Sequence, residues 1–270
     1  MRKSLYYGAG ILCLAASAMI LLNTNILPFN LANSISQATY DSGYKDYYHI
    51  GFPIPRHSLR QGTVYLPVYS ENEREHLWRI IVPFSMGDVD IVENGEFFEA
   101  TADGETLRIY RYIDLLEYEN AHRAGSGVLI DEEAVQGVAK EFLQEFLHCK
   151  KPYNVTVRHD GSGWTVRFEE QLGGLTNTAF PTEITFDNYG NIVRVSHYFF
   201  DYEALGAADV ITARAALAQL PREDGRRVHL SKYEIVYAFE DSVLVPMYRF
   251  YGKCADGVDF EEFVYALKFY

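Results

Sequence analysis

Eight histidines, His49, His57, His76, His122, His148, His159, His197 and His229, come first in any search for chemistry, because imidazole works as acid, base and metal ligand near neutral pH. No two stand three or four residues apart, so no helical face presents a pair, and the His-Glu-x-x-His zinc signature is absent. His148-Cys149 is the one adjacent His/Cys pair. It falls at an expected helix end, where neighbours point apart, and reads as packing and dipole complement rather than as two ligands. Ser126 between Gly125 and Gly127 lacks the spacing of a Gly-x-Ser-x-Gly elbow, and no phosphate-binding glycine motif occurs. The acid pairs Glu169-Glu170 and Glu261-Glu262 lie on expected strands, where consecutive side chains face opposite sides, so neither makes a carboxylate dyad. Glu132-Glu133 belongs to a helix start. Asp187, Asn188 and Asn191 lack the alternating acids and closing Glu of a calcium loop and read as a hairpin turn. The expectation is a protein without catalysis, cofactor or metal.

What remains is recognition. Tyr233, Tyr237, Tyr248 and Tyr251 sit in expected strands, where they serve either the core or an exposed edge that accepts a peptide. Pro246 cannot donate to a ladder, so its strand is expected at a sheet edge or bulged there. That proline either protects the edge from aggregation or marks a partner-facing surface. Pro246 and Tyr248 are therefore candidate partner contacts. Cys149 and Cys254 can pair or stay apart, and nothing in the spacing decides. Asn154-Val155-Thr156 matches a glycosylation acceptor inside an expected strand.

The elements that would position these residues follow from pattern. Val135, Val138, Ala139, Phe142, Leu143, Phe146 and Leu147 keep a helical period, with Asp131 as N-cap and Lys150-Lys151-Pro152 as the stop. A shorter helix is expected over Ala213–Leu220, stopped by Pro221. Strand patterns cover Thr63–Tyr69, Leu77–Phe84, Phe97–Ala100, Thr106–Tyr112, Tyr153–His159, Trp164–Glu169, Glu183–Asp187, Ile192–Phe199, Tyr233–Phe239, Leu244–Tyr251 and Glu262–Phe269, with Gly, Asn and Asp clusters between them. One helix followed by antiparallel strands, written twice, predicts an α+β fold with two helix-plus-curled-sheet units. The expected segments are 1–29 for a cytoplasmic tip and anchor, 30–60 for a stalk, 61–127 for a β-rich module, and 128–205 and 206–270 for the two units.

Leu5 to Leu22 is a run of eighteen residues without a charge behind Arg2 and Lys3. As a helix it covers about 27 Å, near the roughly 30 Å hydrocarbon core of a bilayer. Positive charge ahead of it places the N-terminus in the cytoplasm and the rest outside. Ala16-Ser17-Ala18 offers a cleavage site as the alternative reading, although Met19–Leu22 keeps the run apolar beyond it. Cys13 lacks the small residue ahead of it that lipid attachment needs. Within the run Gly10 and Ala18 are candidate contacts for a partner's membrane helix, since small residues let helices approach; such residues are also simply common in membrane segments. With 24 Lys+Arg against 37 Asp+Glu, and Arg2 and Lys3 ahead of the run, the exterior part is strongly acidic. Such a surface repels nucleic acid and anionic lipid heads, which makes both poor partner candidates, and no nucleic-acid partner is expected.

The final stretch carries a resemblance. The helix Ala213–Leu220, the strand Tyr233–Tyr237, the segment Leu244-Val245-Pro246-Met247-Tyr248-Arg249-Phe250 and the closing Phe263–Leu267 resemble the C-terminal domain of the YycH/YycI regulators, single-pass proteins of Gram-positive bacteria. Tyr248 stands where that family often has Trp. The Asp187-x-x-Gly190-x-Ile192-Val193 turn with its preceding helix is also similar to PepSY domains. The first resemblance implies a membrane-anchored, extracytoplasmic regulator in contact with an envelope sensor histidine kinase or a paralogous regulator. The second implies an exterior binding module that inhibits or escorts an exported protease. Neither implies a small-molecule substrate.

Overall fold

The computed structural model describes residues 47–54, 61–69, 86, 89–93, 95–121, 128–221 and 227–268. In chain order these form β1 (Tyr48–Ile50), β2 (Gln61–Val68), β3 (Asp90–Glu93), β4 (Phe97–Ala102), β5 (Glu105–Tyr110), β6 (Leu115–Asn120), α1 (Glu132–Glu145), β7 (Tyr153–His159), β8 (Gly163–Leu172), β9 (Leu175–Asn177), β10 (Thr182–Asp187), β11 (Ile192–Tyr198), β12 (Asp201–Asp209), α2 (Ala213–Leu217), β13 (Val228–Glu240), β14 (Val243–Cys254) and β15 (Asp259–Tyr265). Two compact units emerge. The larger takes in Thr63–Ala208 and Ile235–Pro246; the smaller takes in the described residues before Thr63, Asp209–Glu234 and those from Met247 on.

In the larger unit β3, β4, β5 and β6 form a meander that continues antiparallel through β11, β10 and β8, with β7 also on β8. The tip of β13 joins β9 in parallel, Val236 beside Thr176 and Tyr237 beside Asn177. α1 lies on this sheet because its periodic face must leave water. Val135, Ala139, Phe142 and Leu143 are buried against Leu107, Ile109, Leu116, Val166, Ile184 and Phe186. Burial of each large apolar side chain contributes about 1.5–3 kcal/mol. The helix begins where the pattern predicts: the Asp131 carboxylate accepts from Ala134 N–H at 2.9 Å, with Glu132 and Glu133 in the first turn. Gly137 sits exposed in mid-helix, and a methyl group there would meet nothing within 4 Å. Gly137→Ala is therefore expected to raise stability by about 0.5–1 kcal/mol, seen as a higher unfolding midpoint in urea. A lowered midpoint would count against the helix.

In the smaller unit β1 runs parallel to the base of β13, and β15 runs antiparallel to β14 from Met247 beside Tyr265 to Lys253 beside Asp259. α2 is capped by Thr212, whose hydroxyl accepts from Ala215 N–H. Ala213, Ala216 and Leu217 are buried, with Tyr48, Leu230, Tyr248, Phe250 and Val264 among the other core residues of this unit.

The expected α+β class does not stand. The described residues are mostly β, with fifteen strands against helices of 14 and 5 residues. Three physical causes account for the difference. α2 turns at Ala218, well short of its Pro221 stop, so the second helix is little more than one turn. Strands β13 and β14 run 13 and 12 residues, far beyond the periodic cores that announced them. Finally Asp201–Asp209, whose Glu, Ala, Leu and Gly show no apolar alternation, is strand all the same. The pairing is mixed rather than antiparallel throughout. No helix among the described residues is long and apolar enough to cross a membrane. The Leu5–Leu22 run with Gly10 and Ala18, the strand expected at Leu77–Phe84 and Gly125–Gly127 all lie outside the described residues.

Candidate functional site

α1 gives way to an irregular turn that sets the site. Phe146 N–H still donates to Phe142 O at 3.0 Å, His148 takes a left-handed backbone at φ +53°, and Cys149 N–H returns to Leu143 O at 3.1 Å. The chain is thereby folded under the helix end, and Cys149, Lys151 and Pro152 face the sheet before β7 begins. Opposite them stand Phe168 and Glu170 of β8, Phe180 and Thr182, the end of β11, and Asp201 and Tyr202 of β12. Together they enclose a recess of about 220 Å³.

Its walls are aromatic. Phe180 meets Phe200 edge to face at 4.7 Å between centroids, Tyr198 at 5.0 Å and Phe239 at 4.9 Å. Phe200 in turn meets Tyr69 at 5.5 Å and Tyr202 at 5.5 Å. Such edge-to-face pairs add about 0.5–1.5 kcal/mol beyond area burial and hold the rings in place. Tyr69 and Phe239, 42% and 40% exposed, do not line the recess; they pack on Phe200 and Phe180 and carry the aromatic cluster to the surface.

The mouth is charged. Lys151 Nζ lies 2.9 Å from Asp201 Oδ1 and 3.4 Å from Glu170 Oε1, and 5.2 Å from the centre of the Tyr202 ring. Burial raises the Glu170 carboxyl above the usual range, against the pull of Lys151. Burial also works against the Lys151 charge, but the Asp201 hydrogen bond and Glu170 outweigh it and leave the ammonium pKa raised. Two carboxylates to one ammonium make the mouth acidic. Burial likewise pushes up the Cys149 thiol, helped by Glu170, and a thiol held protonated is a weak nucleophile. Deeper in, Thr182 Oγ1 and His197 Nδ1 share a buried hydrogen bond of 2.7 Å, and Asn177 Nδ2 donates to Tyr202 Oη at 2.7 Å. No group of three His, Cys, Asp or Glu that could hold a metal ion occurs among the described residues. The arrangement suits holding an apolar group with a cationic neighbour.

The residues singled out from sequence fall elsewhere. Tyr248 is wholly buried in the smaller unit, donates its hydroxyl to Ile211 O at 2.8 Å and stacks on Phe250. Pro246 is buried too, and its strand is not a sheet edge. It occupies the gap between Leu244, which pairs with Tyr65 of β2, and Met247, which pairs with Tyr265 of β15. The missing N–H falls where β14 changes partner. Both side chains are buried rather than exposed at an edge. Cys149 and Cys254 form no disulfide. Asp187 makes the expected turn: its carboxylate accepts from Tyr189 N–H, Asn191 N–H and the Asn191 amide at 2.8–2.9 Å, and Gly190 takes φ +88°. In the sequence, Lys151 and Glu170 stand out only as part of a helix stop and of an acid pair read as solvated, and Phe180 and Phe200 carry no individual mark. The run Tyr198-Phe199-Phe200-Asp201-Tyr202 was the available signal, since four aromatics in five residues exceed what one sheet face can bury.

No protein-family model and no curated protein matches the chain. Among solved structures it is similar to an uncharacterized protein from Eubacterium rectale, with a TM-score of 0.47, 10% identity, and coverage of 76% of this chain and 82% of that one. It is also similar to the YpeB C-terminal domain of Bacillus megaterium, with a TM-score of 0.46, 13% identity, and coverage of 75% and 95%. At that level neither likeness assigns a family or an activity.

Proposed function

We propose that the chain is a non-catalytic, membrane-anchored extracytoplasmic regulator that seats a segment of a protein partner in the aromatic recess. The recess carries this reading. At about 220 Å³ it is smaller than the roughly 300–1,000 Å³ usual for small-molecule pockets, a size that suits one large side chain. The acidic mouth and the chain's net charge of −13 favour a basic segment, with an aromatic or aliphatic anchor flanked by Lys or Arg. The charge-free Leu5–Leu22 run behind Arg2 and Lys3 supports anchoring with the N-terminus in the cytoplasm. The resemblance of the last strands to the YycH/YycI regulators favours an envelope sensor kinase as the partner. A second reading, a PepSY-like module acting on an exported protease, draws on the succession of α1 and an antiparallel meander closed by the Asp187 turn.

The test uses the full chain in its own membrane, with a photo-crosslinking residue at position 138 as an off-site control and at position 69 as the probe. Both residues are exposed, Val138 on α1 and Tyr69 against Phe200 of the recess wall. Crosslinking is expected from 69 only. Phe239→Ala and Asp201→Lys, both at partly or largely exposed positions, are expected to lower its yield about tenfold each, the loss of one anchoring contact of roughly 1.4 kcal/mol. Unchanged yield in both variants would remove the recess as the contact. A kinase or a protease in the crosslinked product separates the two readings.

A further inference from the structure

The smaller unit joins two imidazoles that lie 180 residues apart in sequence. β1 and β13 run parallel with His49 directly beside His229. Backbone bonds on either side, Val228 N–H to Tyr47 O and Gly51 N–H to Leu230 O, both 2.8 Å, fix that register. Both rings are exposed, and their Nδ1 atoms are 2.7 Å apart. The centroids are 4.8 Å apart and the planes 20° apart. That separation is close to the nitrogen–nitrogen distance plus two ring radii, so the Nδ1 atoms aim at one another nearly in plane, as in a hydrogen bond rather than a face-to-face stack. One proton lies between them, and one nitrogen of the two is an unprotonated ligand. Gly51 makes room for this arrangement, because a methyl group there would come within 2.9 Å of His229 Nε2.

We propose that His49 and His229 form a two-imidazole site for a divalent transition ion of the nickel or copper kind, whose square-planar or tetragonal geometry sets neighbouring ligands at a right angle. Nitrogen-to-metal bonds of about 2.0–2.1 Å at a right angle put two ligand nitrogens roughly 2.9 Å apart, a few tenths of an ångström from the spacing the strands already impose. A turn of about 45° by each exposed ring, the base angle of that triangle, swings both Nδ1 lone pairs from each other toward a shared ion. The proton between them moves to the donor's Nε2, so both imidazoles bind neutral and no net proton is released. Imidazole selects such ions over magnesium and calcium, which prefer oxygen. No third His, Cys, Asp or Glu completes the set among the described residues, so water fills the other positions. The chain's negative charge raises the local cation concentration.

The test is a Cu²⁺ titration of the detergent-solubilised full chain, followed by calorimetry and electron paramagnetic resonance, for the unmodified chain and for His49→Ala, His229→Asn and Gly51→Ala. The tightest site of the unmodified chain is expected to show coupling to two nitrogens. His49→Ala and His229→Asn should each weaken that site at least about tenfold and leave coupling to one nitrogen at most. Gly51→Ala keeps both imidazoles but displaces one, and should weaken it as well. Because both rings are exposed, the two histidine variants report even if Gly51→Ala fails to fold. Unchanged affinity and unchanged two-nitrogen coupling in His229→Asn would overturn the proposal, placing the ion on other histidines and leaving the pair a hydrogen-bonded clip between strands.

Discussion

Tyr248→Ala is expected to destabilise the protein by about 3–5 kcal/mol, the range for removing a fully buried aromatic ring. The ring is 0% exposed, stacks on Phe250 at 6.0 Å and touches Tyr233 at 5.8 Å, so nothing flexible stands ready to fill the void. Tyr248→Phe separates the two parts of the loss. It keeps the ring and deletes only the hydroxyl that donates to Ile211 O, which should cost about 1 kcal/mol. Urea unfolding of the solubilised chain measures both. A Tyr248→Ala midpoint equal to that of the unmodified chain would mean that the ring packs against nothing. Near-equal losses in the two variants would assign the whole effect to the hydroxyl.

A single added methyl group at Gly163 is expected to cost at least about 3 kcal/mol, at the upper end of overpacking effects. Gly163 opens β8 and pairs with Asp187 of β10. A Cβ there would lie 2.1 Å from Phe186 O, 3.2 Å from its carbonyl carbon and 3.3 Å from Asp187 Cα. All three are backbone atoms, so relief requires the two strands to part. The site is sensitive, because Phe186 is a core residue and Asp187 holds the following turn. Gly95→Ala serves as the control: its methyl group would meet nothing within 4 Å, and its effect should stay within about 0.5 kcal/mol. Matching midpoints for the two variants would contradict the close approach of β8 and β10.

The parts of this fold legible in the sequence are those in which one element settles its own form. α1 carries its period, its cap and its acidic first turn within 15 residues, and β7 runs Tyr153–His159 as the alternation predicts. Elements stabilised by distant partners left weaker marks. β1 is three residues long, and its pairing with β13 has no local signature. Pro246 misled for a physical reason: the edge rule assumes one partner along a strand, whereas β14 exchanges β2 for β15 at the proline. The candidate site was harder still. Its aromatic residues are individually indistinguishable from core, and only the turn after Leu147 makes them walls around a recess. The His49–His229 contact escaped because spacing rules for histidines look along one helix and not across 180 residues of chain.

The long hairpin of β13 and β14 also orders events in time. Synthesis delivers the chain from its N-terminus, and Thr63–Ala208 of the larger unit can assemble from neighbouring hairpins as they appear. β1 emerges early and then waits for Val228–Leu230 before it has a neighbour. The smaller unit closes only when β15 and the Val210–Leu267 bridge arrive. A ribosome that stalls before Ile235 therefore leaves neither unit whole, since Ile235–Pro246 belongs to the larger and everything from Met247 to the smaller. Quality control would meet such a product as one with open strand edges in both halves.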